Sequence, residues 1–352
     1  MLDIIKSTLT DNAILGAIFS SISIILLGFY LRKKEIINST ASKMLTKVVL
    51  SVSLPALAFT SFMKDLDQDQ LQQGLNILVW GFAIYIILIP ITKLIYVKVK
   101  GDKQDVYRVL TIFGSTTFFG TPIVTAVYGA VGTMYSNIFN IAYRVFLYSY
   151  AFVKMSGTKM DKENFKKNMK EIFLNPIIIA TFLGLFIWLF QENLPQVAVT
   201  VKGEVKEVAF LRLDQTIPWL YKPLDYLKSL ASPLAWLSIG ATLAEVPLKK
   251  AVAQKDAWTY SMIKVMLIPV INLALLIVLN QLNILPVAFE GVATTVIMMA
   301  APTATVAAAY AISYDRESLF TSNCSLLSTI VAVFAMPVWI VILEVIKNMG
   351  IF

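Results

Sequence analysis

FGSTTFFGTPIVTAVYG, residues 113–129, is apolar at both ends, yet its middle holds Ser115, Thr116, Thr117, Gly120, Thr121 and Pro122. Proline inside a helix lacks an amide donor and clashes with the carbonyl four residues back. Hydrocarbon cannot satisfy the backbone groups freed in this way. A membrane segment therefore tolerates such a break only where protein covers it or where it lines a wet cavity.

The rest of the chain places this stretch in a membrane. Of 352 residues, 57% are hydrophobic and 15% charged, against about 45–50% and ~25% in soluble domains. Mean hydropathy is +0.72. The charges cluster, leaving uncharged runs of the roughly 20 residues that cross a bilayer core. The composition excludes a water-soluble domain and predicts an all-α polytopic membrane protein. The start, MLDIIKSTLTDNAILGAIFSSISIILLGFYLRKK, puts acids before its apolar run and bases after it, which predicts a retained first span rather than a cleaved signal.

Apolar runs predict ten spans, near 13–31, 44–63, 75–97, 106–128, 133–154, 172–190, 224–245, 257–281, 288–312 and 318–346. Odd-numbered connections hold 20 Lys and Arg residues; the termini and even-numbered connections hold eight. The positive-inside bias then predicts both termini outside a plasma membrane. The net charge of +8 resides in these short basic runs, a topological pattern rather than a nucleic-acid surface. In the outside connection 194–220, VAVTVKGEVKEVAFLRL (197–213) alternates apolar and polar residues about Lys202-Gly203. This fits a β-hairpin or an unstructured loop.

A repeat is faintly visible. VSLPALAFTSF (52–62) and ASPLAWLSIGA (231–241) share a proline five spans apart, as do GSTTFFGTP (114–122) and MMAAPTATVAAAYA (298–311). Five is odd, so the halves 1–171 and 172–352 have opposite orientation, as two inverted five-helix repeats. Pro122 and Pro302 at matching positions are a sequence pointer to a midplane site. Taken singly, each is equally an ordinary kink.

Charges within spans narrow the chemistry. All 22 acids fall in connections or near span ends, whereas Arg144 lies mid-span and Lys264 about two turns inside the eighth span, roughly 10 Å deep. A buried cation without a carboxylate invites a mobile anion, although Arg144 could instead cap broken-helix carbonyls and Lys264 could snorkel to the inner surface. Asn137, Asn140, Arg144 and Tyr148 form one helical stripe that should face protein or water. In the tenth span Ser322, Asn323, Ser325, Ser328 and Thr329 could coordinate Na⁺ or simply pack helices closely. The chain has no His and one cysteine, Cys324. That removes His- or Cys-built metal centres, His-based triads and intrachain disulfides. With no paired carboxylates in the spans either, an enzyme is not expected and no cofactor is implied.

Three segments resemble one family. They are LLGFYLRKKEIINSTASKMLTKVVLSVSLPALAFTSF (26–62), GSTTFFGTPIVTAVYG (114–129) and MAAPTATVAAAYAISYDRE (299–317). In order and spacing they resemble the auxin efflux carrier family, which includes plant PIN carriers and bacterial malate or malonate permeases. Ser115 stands where many members carry Asn, and Ala307 where the plant ninth helix has a second proline. The resemblance implies broken helices 4 and 9 crossing at the midplane. It also implies a scaffold of helices 1, 2, 6 and 7 that forms a homodimer, and a transport domain of helices 3–5 and 8–10 moving as an elevator. The likeness is nearest to the bacterial malate or malonate permease-type members, so the expected substrate is a small organic anion, foremost a dicarboxylate such as malate or malonate, or an auxin-like carboxylate. Ser115, Thr116, Thr117, Gly120, Thr121 and Pro122 would then meet Pro302, Thr303, Ala304 and Thr305 around the anion. Arg144 or Lys264 would add attraction and Asn140 a hydrogen bond. With no His and no mid-span carboxylate a proton relay of the usual type is hard to build, which points to Na⁺ coupling, facilitated diffusion or exchange. A ligand-binding receptor without transport, or a channel, is the alternative on the same fold; the chain carries no large appended signalling domain of the kind such a receptor would use.

Overall fold

The computed structural model describes residues 12–157, 169–170, 173–201, 204–245 and 253–352. The Lys202-Gly203 turn, the boundary between the two expected repeats, and the topology residues Lys6, Lys159, Lys162, Lys166, Lys167, Lys249 and Lys250 lie outside them. The molecule is mostly helical. In chain order come α1 (Asn12–Lys33), α2 (Ser39–Thr60) and α3 (Gln68–Ile95). The predicted fourth span is two pieces, α4 (Asp102–Ile112) and α5 (116–128), followed across Gly129 by α6 (130–156). Gly129 has φ 59 and ψ −144, a conformation only glycine adopts freely. It divides what would otherwise be one long helix into two spans.

The second half follows a similar order. After α7 (Pro176–Phe190) come strands β1 (Gln196–Val201) and β2 (Glu204–Ala209), then α8 (Pro218–Ser229) and α9 (Ala231–Glu245). Next are α10 (Lys255–Gln281), α11 (Phe289–Ala300), α12 (Thr305–Ser313) and α13 (Ser318–Asn348). Strands β1 and β2 pair antiparallel from Gln196↔Ala209 to Val201↔Glu204, where the sequence left a hairpin and an unstructured loop equally open. The predicted seventh span differs: it divides at Leu230 into α8 and α9.

Among the described residues, α2, α3, α10 and α13 are long and apolar enough to cross a membrane. Leu26, Leu94, Phe182, Leu183 and Phe334 stand exposed along their helices, as side chains facing hydrocarbon would. The helices pack closely where residues are small. A Cβ on Gly28 would collide with the Leu237 backbone, and one on Gly240 with the Ile25 carbonyl, so α1 and α9 touch main chain to main chain. Gly184 of α7 likewise lies against Phe59 of α2, its Cβ position 2.9 Å from the carbonyl oxygen. One small core joins α2, α7 and α9 through Val49, Leu54, Leu57, Ile177 and Ala235. A second, larger one is built mainly from α3–α6 and α10–α13 around Trp80, Tyr85, Phe113, Phe139 and Trp339.

Ion pairs mark the two ends of the bundle. Arg32–Glu245 (3.1 Å), Lys103–Asp256 (2.7 Å) and Arg316–Asp102 lie at one end. At the hairpin end Arg212 meets Asp65 (2.7 Å) and Asp214 (2.9 Å). Burial alone would lower the Arg212 pKa, but its hydrogen bonds to Asp214 and Asp65 outweigh that and raise it.

Candidate functional site at the crossing of two broken helices

Helix α4 stops at Ile112 because Phe113 turns extended, with φ −101 and ψ 107. Helix α11 stops at Ala300 because Ala301 is extended, with φ −60 and ψ 145, as a residue before proline prefers. The two extended pieces cross and satisfy each other. Gly114 and Thr303 form an antiparallel bridge. The Ser115 amide donates to the Pro302 carbonyl (2.6 Å), and the Ala304 amide to that of Phe113 (3.0 Å). Each break thus supplies partners that lipid could not. Gly114 is required by the close approach: a Cβ there would stand 2.9 Å from the Ala301 oxygen and 3.0 Å from Lys264 Nζ.

The first break lies at 113–115 rather than at Pro122. A π turn, Thr116–Gly120, follows the crossing, and Pro122 falls in the first turn of the α-helix beginning at Thr121. Its missing donor costs little at that position. The Pro122 carbonyl accepts from Ser232 Oγ of α9 at 3.1 Å.

One side of the crossing borders a cavity of about 630 Å³. Ser115, Thr117, Arg144, Pro302, Thr303 and Thr305 line it, with Ser322 and Ser325 of α13 and Thr46, Asn175 and Thr242 of α2, α7 and α9. Leu50, Phe118, Leu147, Ile177, Ile239, Leu243 and Val306 make much of its wall apolar. The first turns of α5 and α12 begin here, and their amides have no acceptor within their own helices. Those ends carry partial positive charge.

Among the described residues Arg144 is the one cation on this wall. It is buried, donates from Nη2 to Thr117 Oγ1 at 3.3 Å, and has no partner for Nε. Among the described residues it forms no ion pair, whereas Arg32, Arg108, Arg212 and Arg316 each meet a carboxylate. The predicted stripe holds: Asn137, Asn140, Arg144 and Tyr148 are all buried.

Other predicted residues stand behind the wall. Thr116 is buried and donates to Asn140 Oδ1 (2.7 Å), so Asn140 supports the crossing from behind. Thr121 Oγ1 donates to the Thr116 carbonyl (3.3 Å), and Gly120 fits against Met298. Ala304 and Asn323 are buried and do not border the cavity. Lys264 is fully buried against Gly114, on the far side of the crossing, so it does not snorkel.

Tyr260 was not legible as a site residue. Its hydroxyl donates to the Leu110 carbonyl (2.9 Å) and shares a bond with Thr303 Oγ1 (2.7 Å), which also meets Ser328 Oγ (2.9 Å). The signal lay in its position four residues before Lys264, on one helix face.

Comparison with known proteins gives the family. A family model described as membrane transport protein matches residues 13–340, and the chain belongs to that family, the auxin efflux carriers. It is a family of membrane transporters rather than enzymes. An uncharacterized transporter of Methanothermobacter thermautotrophicus is 24% identical over 337 residues, covering 93% of this chain and 97% of that protein. Another, from Methanocaldococcus jannaschii, is 21% identical over 233 residues, covering 64% of this chain and 68% of its own.

Proposed function

We propose that this membrane transporter is a secondary carrier of small organic anions, working by alternating access at the crossing. The observation that carries the reading is Arg144, a buried guanidinium on the cavity wall with no carboxylate partner. An anion that comes and goes supplies the missing charge. The helix N-termini at Thr116 and Thr305, with the Ser115, Thr117 and Thr303 hydroxyls, add donors suited to a carboxylate. The wall offers one cation amid apolar side chains, which favours a carboxylate with an apolar body, such as indole-3-acetate. Malate and malonate are the dicarboxylate candidates.

The motion we infer is an elevator in a homodimer of inverted repeats, 1–171 and 172–352. Exchanging the repeats maps the Gly28–Gly240 contact of α1 with α9 onto the Gly184 contact of α7 with α2. The separate small core of α2, α7 and α9 suits a scaffold against which the larger core slides.

Uptake of radiolabelled indole-3-acetate, malate and malonate into proteoliposomes tests the reading. Saturable, protein-dependent flux is expected. No flux and no thermal stabilisation by any of the three would reject it, and saturable binding with zero flux would mark a receptor. Flux that never saturates would mark a channel.

A further inference from the structure

Lys264 stands out among the described polar groups. It is fully buried, and its Nζ has no hydrogen-bond partner. It sits on a π turn, Ile263–Leu267, that interrupts α10, and such turns are frequent at functional positions. Its amine approaches Gly114, the one residue of the crossing with no side chain to fill the space.

The neighbours leave this amine alone. Tyr260 on α10 itself is engaged by Leu110 and Thr303. The packed elements carry Asp102, Lys103, Asp105, Tyr107 and Arg108 on α4, Glu290 on α11, and Cys324, Glu344 and Lys347 on α13. Tyr85 of α3 and Tyr143 of α6 pack on Phe113. Among the described residues none of these groups hydrogen-bonds to the Lys264 amine or forms an ion pair with it. An ammonium here would have neither counter-charge nor acceptor, a costly arrangement unless charge arrives with the substrate.

The site is also one layer from the cavity. Thr303 lines the cavity, pairs with Gly114 and bonds Tyr260, one turn before Lys264. We propose that the Lys264 amine binds the coupling proton. Its lone pair takes one proton from water to form an ammonium while an anion occupies the Arg144 side of the crossing, and returns that proton to water when the anion leaves. By reciprocal linkage the anion and the proton bind together. One proton would accompany each anion, in place of the Na⁺ that Ser322 and Ser325 would otherwise hold. The inference rests on the carrier reading above.

The test is calorimetric titration of the purified protein with indole-3-acetate and with malonate, in two buffers of equal pH and different ionisation enthalpy. The buffer dependence of the heat gives the protons taken up per anion. Up to one proton is expected in the wild type and none in Lys264→Met or in Lys264→Arg, whose guanidinium stays charged. Proteoliposome flux should be unchanged when choline replaces Na⁺. Binding without proton uptake in the wild type would overturn the proposal and leave the carrier standing, and this result does not depend on either variant folding. Equal uptake in the variants, or flux that requires Na⁺, would also overturn it. No binding and no flux with either anion would remove the carrier reading, and this proposal with it.

Discussion

Gly114 and Thr303, one from each half of the chain, pair backbone to backbone at the point where two helices are interrupted. The bridge explains how an apolar chain keeps irregular backbone in its interior: each break is the hydrogen-bond partner of the other. It also leaves Thr305, just beyond it, as a fresh helix start with amides to offer, while the Thr116 amide is held by the Gly114 carbonyl at 2.8 Å.

Gly114→Ala tests the closeness of that pairing. The new methyl would meet the Ala301 carbonyl and the Lys264 amine at about their contact limit. Overpacking of this kind costs about 1–3 kcal/mol, read as a lower Tm of the purified protein. Adding Lys264→Met, whose chain end is softer and uncharged, should restore part of the loss but not all, because Ala301 stays in place.

Arg144 should govern affinity. Hydrogen bonds to a charged group contribute about 1.5–3 kcal/mol, so Arg144→Gln should weaken anion binding by roughly 10- to 150-fold. Arg144→Lys should recover charge but not the two-pronged geometry, and fall between. Titration of the three proteins with the same anion checks the order. Equal affinity in all three would show Arg144 to be a structural cap.

The sequence was informative wherever physics acts locally. Composition alone required a membrane, and the alternation about Lys202-Gly203 marked where strands β1 and β2 pair without deciding between a hairpin and an unstructured loop. The need for a break near residues 113–129 was legible too, but its position was not. Proline is the obvious breaker, yet the π turn Thr116–Gly120 absorbs Pro122, and the backbone opens at Gly114 because Thr303 is there to pair with it. That cause lies in the other half of the chain. Arg144 and Lys264 looked alike as isolated cations. Only packing separates them, with one on the cavity wall and the other behind the crossing.

Thr303 joins the cavity to the interior. Thr303→Val keeps the shape but removes the hydroxyl shared with Tyr260 and Ser328. Tyr260 and Ser328 keep the Leu110 and Ser325 carbonyls as partners, so each lost bond costs about 0.5–1.5 kcal/mol, and the protein should unfold at lower temperature and lose affinity. Thr303→Ser, which keeps the oxygen, should restore most of both. A valine variant as stable and as active as the wild type would remove the hydroxyl chain from the mechanism.

Arg212 offers a control away from the cavity. It ties the hairpin region to Asp65, Gln191 and Asp214. Arg212→Ala should expose the segment around β1 and β2 to limited proteolysis while leaving anion affinity within about twofold, since Arg212 lies at the hairpin end and does not line the cavity.

The two prolines should behave unequally, although the sequence presents them as a matched pair. Pro302 sits within its break, its carbonyl receives the Ser115 amide, and the extended Ala301 before it is the conformation a proline enforces. Pro302→Ala frees Ala301 to continue α11 into α12 and so competes with the crossing. Pro122 sits in a first helical turn, where its fixed φ is already compatible. Pro122→Ala should therefore cost less than about 1 kcal/mol and keep transport near the wild-type rate, while Pro302→Ala should lower flux at least tenfold. Rates measured in the same proteoliposomes decide it. Equal losses would mean that the break depends on both prolines, and that the Gly114–Thr303 pairing is a consequence of the breaks rather than what places them.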